Sequence, residues 1–100
     1  MCGITGFVSK DLNKNHLIQM TEVIRHRGPD ANGYHFDKAH HLGLGHRRLS
    51  ILDLSNAANQ PMSSHCERYI MVYNGEVYNY KEIAGQLKLG FKTSSDSEVI

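Results

Sequence analysis

Apolar and polar positions alternate at the start of the chain, so Cys2 to Val8 reads as a strand with Ile4 and Val8 on one face. The period then lengthens. Leu17, Met20 and Ile24 fall at helical spacing, which predicts a short amphipathic helix from Lys14 to Ile24. Arg25-His26-Arg27-Gly28-Pro29-Asp30 breaks it, because Gly-Pro is a turn signal and the residue before a proline avoids the helical region. Gly33 to Phe36 and Leu42 to Leu49 read as paired strands joined by a turn at Asp37 to His40. Ser50 to Met62 is mixed, with a loop by composition from Ser55 to Pro61.

Tyr69 to Tyr73 reads as a strand, Asn74-Gly75 as a hairpin turn, and Glu76 to Tyr78 as the returning strand. Asn79 is placed to cap a helix, with Glu82 at its third position, Ile83 and Leu87 on one face, and Gly90 at its end. Phe91 to Ser94 reads as another short strand. Ser95 with Glu98 is a capping-box pattern that would open a helix whose first apolar residues are Val99 and Ile100. A helix that stops in its first turn suggests the front part of something longer. The order predicts an α+β domain with antiparallel pairing.

Composition narrows the function classes. The chain has 100 residues, is 40% apolar and 21% charged, and carries a formal charge of +1. Nothing there is basic enough to suggest nucleic acid or an anionic membrane. No apolar run approaches a membrane span, and the N-terminus lacks a signal peptide, so the cytoplasm is the expected location. Two cysteines, Cys2 and Cys66, are too few for a disulfide scaffold. Seven histidines invite a metal check. None sits at convincing ligand spacing, so no metal is expected and the histidines read as surface or structural, with His46 packing near Arg48.

The candidate chemistry begins at Cys2. Removal of Met1 would leave a thiol and a free α-amino group on one residue. Their reference pKa values are about 8.5 and about 7.7–8.0, so the amine is a base poised near neutrality beside a nucleophile. On position alone the thiol reads more readily as a small apolar residue of the first strand. Asn74 and Gly75 offer a side-chain amide and a backbone N–H side by side, a candidate oxyanion hole, although Asn-Gly most often means only a turn. Arg48 lies in a strand-like run and its fork suits a carboxylate. Asp96 stands where it would either receive an ammonium group or favour a helix N-terminus.

Several stretches together resemble one family. They are Cys2-Gly3-Ile4, Arg25 to Asp30, Gly45-His46-Arg47-Arg48-Leu49-Ser50-Ile51, Asn59 to Met62, Asn74 to Asn79, and Ser95 to Ile100. In this order and spacing the chain resembles the N-terminal glutaminase domain of glutamine-hydrolysing asparagine synthetases. These are class II glutamine amidotransferases of the Ntn-hydrolase type. Other class II branches share the Cys-Gly-Ile start and an Asn-Gly pair, but Arg48-Leu49-Ser50-Ile51-Leu52-Asp53 is of the asparagine-synthetase type. Ser94-Ser95 departs from the more usual glycine or threonine, and Ser97 stands where threonine or cysteine is common.

The resemblance implies a fold of layered antiparallel sheets with flanking helices, of which residues 1–100 are the front portion. It implies that Cys2 attacks the glutamine side-chain amide and that Asn74 and Gly75 stabilise the oxyanion. It implies that Arg48 binds the substrate carboxylate, that Leu49, Ser50, Ile51 and Leu52 shape the pocket, and that Glu76 and Asp96 hold the ammonium side. The rest of the amidotransferase domain and an ATP-dependent synthetase domain are expected outside this stretch. That second domain would receive ammonia through an internal tunnel and convert aspartate to asparagine with ATP and Mg2+; no cofactor is expected within residues 1–100. Glutamine is the expected substrate, a homodimer is compatible, and neither nucleic acid nor membrane is an expected partner. Competing readings are the same glutaminase aminating another acceptor, such as a sugar in surface-polysaccharide synthesis, and a non-catalytic homologue. An Arg27–Asp30 ion pair is expected to order its loop, and the stretch alone is expected to be unstable or inactive.

Overall fold

A computed structural model describes residues 1–100 as a mixed α+β arrangement of antiparallel sheets with flanking helices. Strand β1 (Gly3–Val8) is followed by helix α1 (Lys14–Val23), a 3-10 turn (Arg25–Arg27), and strands β2 (Ala31–Asp37) and β3 (Leu42–Arg48). The three strands form one sheet in the order β1-β3-β2, with Gly3 opposite Arg47 and Ala31 opposite Arg48. The β2–β3 turn is locked by Asp37, whose carboxylate accepts from the His40 N–H and lies 2.8 Å from His40 Nδ1. That contact holds the exposed Asp37 carboxyl below its ordinary pKa.

Helix α1 starts where its cap dictates. The Asn13 side chain accepts from the N–H groups of Asn15 and His16, and His16 Nδ1 accepts from the Asn13 N–H. This is a capping box with histidine in the place usually taken by Glu or Gln. The helix buries Leu17 and Thr21 completely, four residues apart on one face. They fit because Gly45 leaves the sheet bare: a Cβ there would collide with the hydroxyls of Thr21 and Thr5. Those two hydroxyls are 2.9 Å apart, and Thr21 Oγ1 also donates to the Leu17 carbonyl at 2.7 Å. The opposite sheet face carries Ile4 and Val8, which are 48% and 76% exposed. The apolar alternation of β1 therefore marks the face turned away from α1.

The second half differs from expectation. Only Ile70–Met71 of the predicted Tyr69–Tyr73 strand pairs, as β5, with a two-residue β4 at Met62–Ser63. Asn74-Gly75 makes no hairpin and Glu76 to Tyr78 makes no strand, because the Val77 N–H donates to Asp96 Oδ2 instead of a neighbouring strand. Phe91 to Ser94 is not a strand either. The N–H groups of Lys92 and Thr93 go to the Glu98 carboxylate, and that of Ser94 goes to Asp53 Oδ2. Helix α2 (Tyr80–Leu87) forms, but Asn79 caps it by position without a side-chain bond. Lys88, left-handed at φ 51°, ends it before Gly90. The predicted helix after Ser95 is a 3-10 turn, Asp96–Val99. Ser95 Oγ accepts from the Ser97 N–H as a cap should, but Glu98 has turned back to Lys92 and Thr93 and cannot close the box.

Candidate active site

The end of β3 and the loops after it build one cleft. Its walls include Cys2, Arg48, Leu49, Ile51 and Leu52 together with Gly75, Glu76 and Asp96. Residues far apart in the chain therefore converge. Ser50 and Asn74 are adjacent to the cleft along the chain but do not line it. Ser50 is tied elsewhere, its N–H donating to Asp30 Oδ2 at 2.8 Å. His46, Gln60, Tyr73 and Ser97 line the cleft without having been marked for chemistry by the sequence motifs.

Cys2 sits just ahead of β1, half-buried, while Met1 is 70% exposed. The Leu49 N–H points at the Cys2 sulfur at 3.3 Å, and the thiol points back at the Leu49 carbonyl at 3.7 Å. Arg27 Nε donates to the Cys2 carbonyl at 3.2 Å. The expected Arg27–Asp30 ion pair is thus replaced by two tethers: Arg27 holds Cys2 and Asp30 holds Ser50. Cys2 is thus fixed at its carbonyl and its sulfur.

Arg48 is 7% exposed, and its Nη groups are fully engaged. Nη1 donates to the Ser55 carbonyl at 2.7 Å and Asn59 Oδ1 at 2.8 Å; Nη2 donates to the carbonyls of Leu52, at 3.0 Å, and Asp53. The guanidinium that the sequence suggests for a carboxylate is also the spindle of the 52–59 loop. Asp53 completes that loop. Its exposed carboxyl accepts from Ser55 Oγ, the Ser94 N–H and the Ser55 N–H, which lower its pKa to about 2.

Asp96 Oδ2 accepts from the Val77 N–H at 2.7 Å, which draws the 74–77 segment against the 3-10 turn. Burial pushes the Glu98 carboxyl up, but bonds from Thr93 Oγ1 and the N–H groups of Lys92 and Thr93 outweigh it and leave the group below its ordinary value. A Cβ at Gly75 would lie 2.5 Å from the Tyr73 phenolic oxygen, so a larger residue there would displace the Tyr73 ring. His46 is 1% exposed, and burial, aided by nearby Arg48, lowers its pKa against the opposing pull of the Tyr73 carbonyl. No three His, Cys, Asp or Glu side chains cluster closely enough to hold a metal ion. No helix is long and apolar enough to cross a membrane.

A thiol, an arginine and two carboxylates thus share a cleft, and comparison with known proteins says which family built it. The glutamine amidotransferase domain family matches residues 1–100. The chain belongs to this family. Similar curated proteins include asparagine synthetase (glutamine-hydrolysing) 1 of Bacillus subtilis, 43% identical over 109 residues, which cover all of this chain and 17% of that protein. The amidase chry2 of Gibberella zeae is 41% identical over 115 residues, again all of this chain and 17% of the relative. An asparagine synthetase (glutamine-hydrolysing) of Zea mays is 38% identical over 105 residues, with the same shares. The chain spans less than a quarter of the length of such relatives, for instance 23% of a relative from Methanocaldococcus jannaschii. In this amidotransferase domain the convergent residues are therefore candidates for binding and cleaving an amide.

Proposed function

We propose that this chain is the glutaminase front end of a glutamine-hydrolysing asparagine synthetase, with Cys2 as its nucleophile. The observation that carries the reading is the convergence of Cys2, Arg48 and Asp96 on one cleft in an amidotransferase domain. Such a cleft suits a zwitterion: a cation for the α-carboxylate, carboxylates for the α-ammonium, and a thiol for the side-chain amide.

The chemistry follows from the residues. Met1 leaves, and the freed α-amino group of Cys2 takes the thiol proton. The thiolate attacks the amide carbon, and the developing oxyanion is received by the Gly75 backbone N–H at the cleft wall and by the Asn74 side-chain NH2, which has to turn in from beside the cleft to reach it. The C–N bond breaks as the ammonium of Cys2 returns its proton to the leaving ammonia. Water then hydrolyses the glutamyl thioester to glutamate and restores the thiol. The fixed carbonyl of Cys2 keeps its nitrogen and sulfur in one place throughout. A substrate carboxylate at Arg48 would use Nε or displace one of the loop acceptors from Nη. In the complete protein the ammonia would pass to a synthetase domain that converts aspartate to asparagine with ATP and Mg2+; a homodimer is compatible with this organisation.

A second reading keeps the glutaminase and changes the acceptor. It draws support from the Gibberella relative at 41% identity, which is named an amidase and not an asparagine synthetase. Supplying the complete protein with glutamine, ATP and aspartate separates the two. Asparagine formation supports the first; glutamine hydrolysis without asparagine supports the second. Failure of glutamine hydrolysis that depends on Cys2 overturns both.

A further inference from the structure

We propose that His46 and Gln60 are positioning residues for the oxyanion-stabilising pair, because together they grip both backbone polar groups of Tyr73, the residue that leads into Asn74 and Gly75. The inference rests on the glutaminase reading above.

Strand β5 ends at Met71, so the sheet offers Tyr73 no ladder partner. Two buried side chains supply partners instead. Gln60, 8% exposed, accepts the Tyr73 N–H on Oε1 at 2.5 Å. His46, on β3, places Nε2 3.3 Å from the Tyr73 carbonyl oxygen. A carbonyl only accepts, so Nε2 carries the hydrogen. Burial and Arg48 both disfavour the imidazolium, which leaves a neutral ring with its proton on Nε2. A residue held at its N–H and its C=O has a fixed peptide plane on each side. The plane after Tyr73 sets the direction in which Asn74 leaves and Gly75 follows.

The side chain of Tyr73 adds a third restraint. Its phenol packs so closely on Gly75 that a Cβ there would meet the ring carbon bearing the hydroxyl at 2.7 Å. Packing alone does not call for a histidine at position 46. Its cross-strand neighbours are Ile4 and Gly33, and an apolar residue would fill that site without a buried polar group to satisfy. A donor is needed there only because the Tyr73 carbonyl must be held. Oxyanion donors act by preorganisation, so a small misalignment weakens them in the transition state far more than in the ground state.

The test uses the full-length protein freed of Met1. His46→Phe keeps the ring and removes the donor; His46→Gln keeps an N–H at similar reach; Gln60→Met removes the acceptor from the other side. His46→Phe and Gln60→Met are each expected to lower kcat for glutamine hydrolysis by about tenfold or more, with KM changed less than about threefold. His46→Gln is expected to recover most of the loss. Alkylation of Cys2 by iodoacetamide, which builds no oxyanion, is expected to keep its wild-type rate in all three. Wild-type kcat in both His46→Phe and Gln60→Met overturns the inference and leaves the glutaminase reading standing. So does a parallel loss of alkylation, which would mean general disorder of the cleft. If His46→Phe does not fold, Gln60→Met carries the same comparison. A wild-type protein that does not hydrolyse glutamine through Cys2 overturns both claims.

Discussion

Residues 3–48 and residues 49–98 are held by different kinds of bond. In the first region the backbone satisfies itself: β1, β2 and β3 share one antiparallel ladder, and α1 covers the sheet through Leu17 and Thr21. In the second region, outside α2 and the short β4–β5 pair, side chains satisfy much of the backbone. The N–H of Tyr73 goes to Gln60, that of Val77 to Asp96, that of Ser94 to Asp53, and those of Lys92 and Thr93 to Glu98. The first arrangement makes a frame. The second makes a cleft whose shape depends on individual polar residues, and the candidate chemistry sits where the two meet.

Cys2→Ala is expected to reduce glutamine hydrolysis by about a thousandfold or more while leaving the unfolding midpoint unchanged, since Cys2 is a half-buried thiol at the mouth of the frame. Parallel loss of activity and stability would show that the frame and the chemistry are not separable. Leu17→Ala is the converse. It removes the largest fully buried side chain and is expected to cost about 2–5 kcal/mol in urea denaturation, with kcat of the folded fraction retained. Thr21→Val keeps the shape but deletes the contacts of Oγ1 to Thr5 and the Leu17 carbonyl, with an expected cost of about 1 kcal/mol.

The smallest effect lies in the cleft region and depends on pH. The folded pKa of Asp53 is about 2, below its ordinary value of 3.8. Its contribution to holding Ser55 and Ser94 is therefore present above about pH 4 and lost as pH falls through about 2. Amide exchange at Ser55 and Ser94 is expected to be faster in Asp53→Asn than in wild type at pH 5. The two proteins are expected to converge at the acid end. A difference independent of pH would mean that the carboxylate does not carry these bonds.

The same contrast explains what could be read from the sequence. The frame was legible because periodicity reports ladders and helix faces: β1, α1 and the β2–β3 pair lie within a residue or two of their expected bounds. The face of β1 was harder to assign, because Ile4 and Val8 are apolar yet point away from α1, and it is glycine at position 45 that makes room for the helix. In the cleft region turn propensity does not predict the structure. Asn74-Gly75 has the composition of a hairpin, but Asp96 competes for the Val77 N–H and wins. Glu98 has the spacing of a capping box but is needed by Lys92 and Thr93. Such long-range side-chain bonds leave no local period. The motifs nevertheless marked Cys2, Arg48, Gly75 and Asp96, which line the cleft; His46 and Gln60 carry no motif signal of their own beyond lying inside the stretches that resemble the family.

In the proposed function the residue behind Met1 is the reagent. Its most direct test is mass spectrometry of the full-length protein after treatment with a diazoketone analogue of glutamine. The account predicts an N-terminus lacking Met1 and a single adduct on Cys2 that is absent from Cys2→Ala. An adduct on Cys66, no adduct, or labelling of Cys2 while Met1 is still attached would contradict it.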